Sequence, residues 1–428
     1  MELQKIMSRR MGDFYYKGQH SSGLEIYLYP KESGSTTRAV FGTKYGSIDS
    51  CFQRSDTTSP ETVPDGIAHY LEHKLFESED QDAFARYAET GASANAYTGF
   101  ESTCYVFTCT DKLYESLEIL LDFVQSPYFT VETVAKEQGI IGQEIKMYDD
   151  QPGWRVFFNY LQAMYHCHPV RNDAAGTVES IAQITPEYLY RCYDTFYSLN
   201  NMILVLVGRF EVERVLELCD KMLKLQRPVH VKRVLPNEPC SVVKAQIKQR
   251  LSVAMPVFQF GYKDTSTAQR TEADLAAVGV LLEVIASDAS PLFRQLLDSG
   301  LVNEASFSYQ YFEGSGDATL MFGGESRDPE AAVAFIQAEV ARLKAQGIPE
   351  DAFERAKRSL YGESVSALNN PIEIADWITD LTFSGLELFA YIDALAELSL
   401  DQVEKKLELL DAEKSVCSVV LPLNERKD

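Results

Sequence analysis

Apolar or alternating stretches at Leu24–Tyr29, Thr103–Thr108, Met202–Val207 and Ser415–Leu421 have the length and residue mix of strands. Elsewhere apolar residues return every three or four positions, as Leu113, Leu117, Leu120, Leu121 and Val124 do, and again Leu275, Val278, Leu281 and Leu282. That spacing gathers them on one helix face. Strands and helices follow one another without strict alternation, which predicts an α+β fold rather than a doubly wound sheet.

The pattern also repeats within the chain. Val134–Pro152 is a helical pattern carrying Lys136, Glu144 and a closing Gln-Pro, and Phe353–Pro371 carries Lys357, Glu363 and a closing Asn-Pro. Glu363 and Pro371 each stand 219 positions after Glu144 and Pro152 (363 less 144, 371 less 152). His73-Lys74-Leu75-Phe76 has a counterpart in Ser290-Pro291-Leu292-Phe293, and each half closes on an apolar strand. Two homologous domains are expected, residues 1–220 and 241–428. Residues 221–240, polar and Pro-containing from Lys224 to Cys240, form the expected linker.

A chain of 428 residues is too long for one hydrophobic core, in keeping with that division. Its 40 Lys plus Arg against 63 Asp plus Glu leave a net charge of −23. Such a field repels polyanions, arguing against nucleic acid and anionic membrane surfaces as partners. Met1–Tyr16 lacks the continuous apolar segment of a signal peptide, and the longest strongly apolar run, about Met202–Val207, is far below the roughly 20 residues that span a bilayer. The eight cysteines are dispersed, with no CxxC pair. Reduced thiols in a cytoplasmic protein are expected.

The chemistry concentrates at His69-Tyr70-Leu71-Glu72-His73, an HxxEH sequence preceded by Pro64-Asp65-Gly66, where Asp65 is placed to cap a helix beginning near Gly66. Residues four apart share a helix face, so His69 and His73 present two imidazoles to one point, with Glu72 beside it. Ile67, Leu71 and Leu75 form a separate stripe roughly 200° around the helix. A catalytic zinc needs a third protein ligand and an open position for water. Glu137 and Glu144, seven apart on the next helical pattern, share a face, and on spacing alone either is a candidate.

HxxEH, a Glu about 70 residues later and a second Glu seven before that one resemble the insulinase, pitrilysin and mitochondrial processing peptidase family of inverted-motif zinc peptidases. Gly46-Ser47-Ile48-Asp49, Gly66-Ile67-Ala68, Gly91-Ala92-Ser93-Ala94-Asn95-Ala96-Tyr97-Thr98 and Gly176-Thr177-Val178-Glu179-Ser180-Ile181 look like further family blocks in family order. The resemblance implies that His69, His73 and Glu144 hold one zinc ion per chain, that Glu72 is the general base, and that Glu137 supports it as a second catalytic carboxylate. Asn95, Ala96, Tyr97 and Thr98 would form the edge strand that pairs with substrate backbone. Each domain would be a mostly antiparallel sheet with helices packed on one face, the second a copy without metal that completes the substrate chamber. The family's Arg and Tyr of that second domain are missing, since Leu297 and Asn303 stand at their positions. Arg294, Tyr309 and Tyr311 are the neighbouring candidates, and Arg294 joins the substrate-binding set.

The implied activity is zinc-dependent endopeptidase action on unfolded or extended peptides, because pairing with an edge strand requires free backbone groups. The rival readings are a non-catalytic partner or scaffold subunit retaining the fold, and a metal-storing protein; a complete ligand set with Glu72 argues against both. Two domains are half of a four-domain chamber, so a homodimer or a heterodimer with an inactive paralogue is expected.

Overall fold

The computed structural model describes residues 1–32, 34–79, 81–266 and 268–423. They form two compact units interleaved in sequence. The first comprises Met1–Ile145, Asp173–Leu235 and Ser366–Phe389, and the second Lys146–Asn172, Pro236–Val365 and the chain from Ala390 on. Two segments are therefore exchanged across the end-to-end division read from the sequence.

The first unit contains strands β1 (Leu3–Met7), β2 (Phe14–Gln19), β3 (Glu25–Pro30), β4 (Thr37–Thr43), β5 (Cys51–Arg54), β6 (Glu61–Thr62), β7 (Ser93–Thr98), β8 (Thr103–Cys109), β9 (Met202–Gly208) and β10 (Val231–Arg233). Seven of them form one sheet in the order β1-β2-β3-β9-β4-β8-β7, antiparallel except for the β3/β9 pair, and β10-β5-β6 form a small second sheet. The second unit contains β11 (Gln246–Leu251), β12 (Val257–Lys263), β13 (Ser308–Glu313), β14 (Ala318–Glu325) and β15 (Ser415–Pro422), ordered β11-β15-β12-β14-β13 with β11/β15 parallel. The run β3-β9-β4-β8-β7 thus recurs as β11-β15-β12-β14-β13. The internal repeat is visible as a shared topology, and the fold is α+β.

The helices that matter here are α1 (Ile67–Leu75), α2 (Leu113–Phe123), α3 (Val131–Asp149), α4 (Pro152–Met164), α5 (Glu272–Ala286), α6 (Pro291–Asp298), α7 (Glu350–Ala367) and α8 (Pro371–Phe383). Leu71 of α1 and Leu117 and Leu120 of α2 pack with Phe41, Tyr105 and Leu204 in the core of the first unit. The opposite face of that sheet is covered too, unlike the one-sided packing expected: α8 lies against β4 and β9. Arg38 Nη2 meets Asp376 at 3.2 Å, and Lys44 Nζ donates to Phe383 O at 2.7 Å. In the second unit α4 occupies the equivalent place, against β11, β12 and β15, with the Tyr160 hydroxyl bonded to Thr319. The Gln-Pro and Asn-Pro pairs of the repeat explain both exchanges. Pro152 and Pro371 each open a new helix at its first position, and the residue before proline disfavours helix, so α3 and α7 stop there.

Glu272–Asp298 is long and apolar enough by composition to cross a membrane, an 18-residue window of it having a mean hydropathy of 1.6, which the run Met202–Val207 did not suggest. Of that window 67% is buried, and Ser287–Ser290 divide the segment into α5 and α6. Val280, Leu281, Ile285 and Leu296 belong to the core of the second unit.

Candidate metal centre

Close backbone packing sets where α1 begins, and Gly66 rather than Asp65 stands at its N-cap position. Gly66 precedes the helix at φ 89° and no side chain caps it. A Cβ there would stand 2.4 Å from Ala175 O, and one on Gly176, at φ 75°, would stand 2.6 Å from Asp65 O. Ser180 Oγ donates to Asp65 O at 2.8 Å. The Gly66 and Gly176 blocks therefore meet backbone to backbone, an approach that only glycine permits. Ile67, Leu71 and Leu75 fill the core as their spacing predicts, and the Tyr70 hydroxyl donates to Val134 O on α3. Lys74 is fully buried beside them, which the stripe did not foretell.

With α1 set against α3, His69, His73 and Glu144 each offer one ligand atom within 4.8 Å of the others. His69 Nε2 lies 3.8 Å from Glu144 Oε1, and His73 Nε2 lies 3.5 Å from Oε2. Glu137, the other carboxylate that spacing allowed, faces the far nitrogen of the same ring, 2.9 Å from His73 Nδ1. A carboxylate there accepts Nδ1–H and leaves the Nε2 lone pair directed at Glu144. Two imidazoles and one carboxylate suit zinc with a coordination position left for water, so the residues present fit the metal.

Burial, followed by the neighbouring His73, depresses His69 to about 3 and keeps it neutral, the form that ligates. Burial also pushes His73 down, but the Glu137 hydrogen bond and the charges of Glu72 and Glu144 raise it overall. Burial raises Glu72 above the ordinary carboxylate range. On Glu137 the same effect is outweighed by the His73 hydrogen bond and by nearby Lys74 and Lys136, so it is lowered.

Thr98 Oγ1 donates to Glu72 Oε2 at 2.8 Å. Thr98 ends β7, an edge strand paired on one side only, with β8. The four residues expected to meet substrate are consecutive on this strand: Asn95 is exposed, and Ala96, Tyr97 and Thr98 are half-buried. Asn95 Oδ1 accepts the Ala96 N–H at 2.9 Å. The turn behind the strand is clamped. A Cβ on Gly46 would fall 2.3 Å from Phe100 O, and the Ser47 and Ile48 amides donate to Gly99 O and Phe100 O at 3.0 Å. Arg233 bonds both Asp49 and Glu101 at 2.6 Å, so part of the expected linker serves the first unit.

Arg294, on α6 of the second unit, is largely exposed and pairs with Asp298 at 3.0 Å. Tyr309 donates to Glu283 at 2.6 Å and Tyr311 to Asp264 at 2.7 Å, while Asn303 Oδ1 accepts the Ser306 N–H at 2.8 Å. Each is engaged within its own unit. The Thr98 hydroxyl and the Lys74 ammonium are the contacts that sequence reasoning missed. Thr98 was assigned through its backbone, and Lys74 reads in sequence as an ordinary polar helix position.

The family pattern described as insulinase (peptidase family M16) matches residues 60–178, and that of the peptidase M16 inactive domain matches residues 183–360. A Bacillus subtilis protein named zinc protease YmfH is 37% identical over 427 residues, covering 98% of this chain and 99% of its own. A mitochondrial-processing peptidase subunit beta from Arabidopsis thaliana is 24% identical, covering 80% of this chain and 68% of its own. Among solved structures, one described as an M16-like peptidase from Alicyclobacillus acidocaldarius superposes with a TM-score of 0.91 at 34% identity over 99% of both chains. Pitrilysin shares the fold at a TM-score of 0.71 and 15% identity, this chain covering 47% of it. On the near full-length identity, the two family patterns and the shared fold, this chain belongs to the insulinase family, peptidase family M16, in its bacterial two-domain form.

Proposed function

We propose that this chain is a zinc-dependent endopeptidase that hydrolyses unfolded or extended peptides, with His69, His73 and Glu144 holding one zinc ion. The observation carrying this reading is the convergence of those three ligands beside a Glu72 that is itself held by the edge strand. When bound, zinc would lower the pKa of a water ligand towards about 7 and polarise a peptide carbonyl. Glu72 Oε1, free of the Thr98 hydrogen bond at Oε2, accepts the water proton and returns it to the leaving amine. Glu137 orients His73 through Nδ1. Asn95–Thr98 align an extended peptide by adding it as a strand beside β7, for which the Asn95 side chain must give up the Ala96 amide. The zinc proteases among the relatives support the metal and the chemistry.

A homodimer or a heterodimer with an inactive paralogue remains the proposed assembly, since a second half would shield the site from water. The free state of all eight cysteines agrees with a cytoplasmic setting.

The test pairs zinc analysis with a quenched-peptide library on the wild type and Glu72→Gln. The variant should retain about one zinc and lose hydrolysis, because an amide cannot take the proton while the ligands are untouched. Full activity in Glu72→Gln would refute the mechanism, and a wild type with zinc but no hydrolysis of any peptide would favour a binding protein.

A further inference from the structure

The stretch read as a linker carries a charge that is used inside the first unit. Val231–Arg233 pairs as β10 with β5, Arg233 standing opposite Phe52, and the Val234 N–H donates to Cys51 O at 2.9 Å. The Arg233 side chain is left only 14% exposed, and a guanidinium taken out of water must have its donors answered. Its fork meets carboxylates from two segments. Nε and Nη2 donate to Asp49 at 2.6 and 2.9 Å, and Nη1 donates to Glu101 at 2.6 Å. The bidentate pair with Asp49, whose side chain is 3% exposed, already answers the charge. The third bond reaches a different element. Glu101 lies in the turn between β7 and β8, where the Gly99 N–H donates to Ser102 O at 2.8 Å. Asp49 Oδ2 also accepts the Gly46 N–H at 2.9 Å, so the guanidinium fastens the 46–49 segment to the same turn that Ser47 and Ile48 hold through their amides. From Glu101 the chain passes through Phe100 and Gly99 to Thr98, whose hydroxyl donates to Glu72 at 2.8 Å.

We infer that Arg233 is a positioning residue for the hydrolysis: its guanidinium anchors the turn behind the edge strand β7 and so holds the Thr98 hydroxyl on the Glu72 carboxylate. Arg233 acts through Glu101, the turn and Thr98 alone. The inference rests on the reading of Glu72 as the general base of a peptidase.

Two variants of the full chain test it. Glu101→Ala leaves the buried Arg233–Asp49 pair intact, and Arg233→Lys keeps the charge on an ammonium that cannot span both carboxylates, so that failure of either to fold leaves the other informative. Hydrogen–deuterium exchange reads the turn directly, and hydrolysis of an extended quenched peptide reads its effect on Glu72. Loss of one hydrogen bond between charged groups should speed exchange across residues 93–103 on the order of 10-fold, with β3 and β9 of the same sheet unchanged. Zinc content should not change, because no ligand is tied to the turn. In both variants kcat should fall roughly 10-fold, the cost of a slightly misplaced catalytic group, and by more than KM rises. In a Thr98→Val background Glu101→Ala should lower kcat less than about 2-fold further, because the bond it serves is already gone. Unchanged exchange across 93–103 or an unchanged kcat overturns the inference. So does exchange raised equally in β3 and β9, which would make Arg233 a general stabiliser of the sheet, or a kcat loss undiminished in the Thr98→Val background. A wild type that binds zinc and hydrolyses no peptide sinks the proposed reaction instead, and the exchange result still decides whether Arg233 anchors the turn.

Discussion

Around His73 three carboxylates sit within a few ångströms, and their contacts separate their roles. Glu144 groups with both Nε2 atoms, Glu137 takes the opposite nitrogen, and Glu72 is tied to β7. Glu144→Gln should therefore lose zinc, measured by metal analysis after dialysis. Glu137→Gln should keep zinc under saturating conditions and lower activity about 10- to 100-fold, as for an outer partner of a ligand. Thr98→Val removes one hydrogen bond to a charged group, an interaction of about 1.5–3 kcal/mol. It should lower kcat by about 10-fold or more with zinc content unchanged, and an unaltered kcat would show that Glu72 needs no such support. HxxEH made the two histidines and Glu72 legible because helical periodicity puts i and i+4 on one side whatever the rest of the chain does. Thr98 was illegible as a side-chain partner, because its contact with Glu72 joins residues 26 positions apart (98 less 72).

At the scale of elements, the Gly66/Gly176 contact determines where α1 begins and so where both histidines stand. Gly66→Ala combines a left-handed backbone with a Cβ 2.4 Å from a carbonyl oxygen. It should destabilise the protein by more than about 1 kcal/mol and reduce zinc content, followed by urea denaturation and metal analysis. Gly12→Ala is the control: φ is 74°, but nothing lies within 4 Å of the added Cβ. It should show the backbone cost without the metal loss. Four strands, β3, β8, β9 and β15, were readable from their apolar or alternating runs, β9 at Met202–Gly208 nearly to the residue. The N-cap position falls to Gly66 rather than to Asp65, four positions ahead of the motif, because a capping signal is local whereas the Gly176 block packed on Gly66 lies more than 100 residues away.

Across the whole molecule, the second unit carries its own electrostatic latch. Glu238 accepts the amides of His166, Cys167 and His168 at 2.8–2.9 Å and the Lys263 ammonium at 2.7 Å. Burial alone would raise its carboxyl, but Lys263 and those amides outweigh it and hold it at about 2, below its ordinary 4.5. A depressed carboxyl stabilises the fold fully above its unfolded value and loses that contribution as pH falls from about 4.5 through 2. Glu238→Gln should therefore be less stable than the wild type at pH 7, with the gap closing towards pH 3 in urea titrations; a gap independent of pH would show that the charge is not what matters.

The sequence by itself determined the family, the α+β class, the duplication, the HxxEH helix and its apolar stripe, because each is written in residue identity and short-range period. Tertiary structure decided what those signals left open. It grouped Glu144 rather than Glu137 with the imidazoles, tied Glu72 to the edge strand through Thr98, buried Lys74 of α1, and carried α4 and α8 into exchanged places on the two sheets. The physical reason is common to all four. Period and propensity say which face of an element is apolar, whereas the partner of that face, or of a buried charge upon it, is selected by packing among residues far apart in the chain.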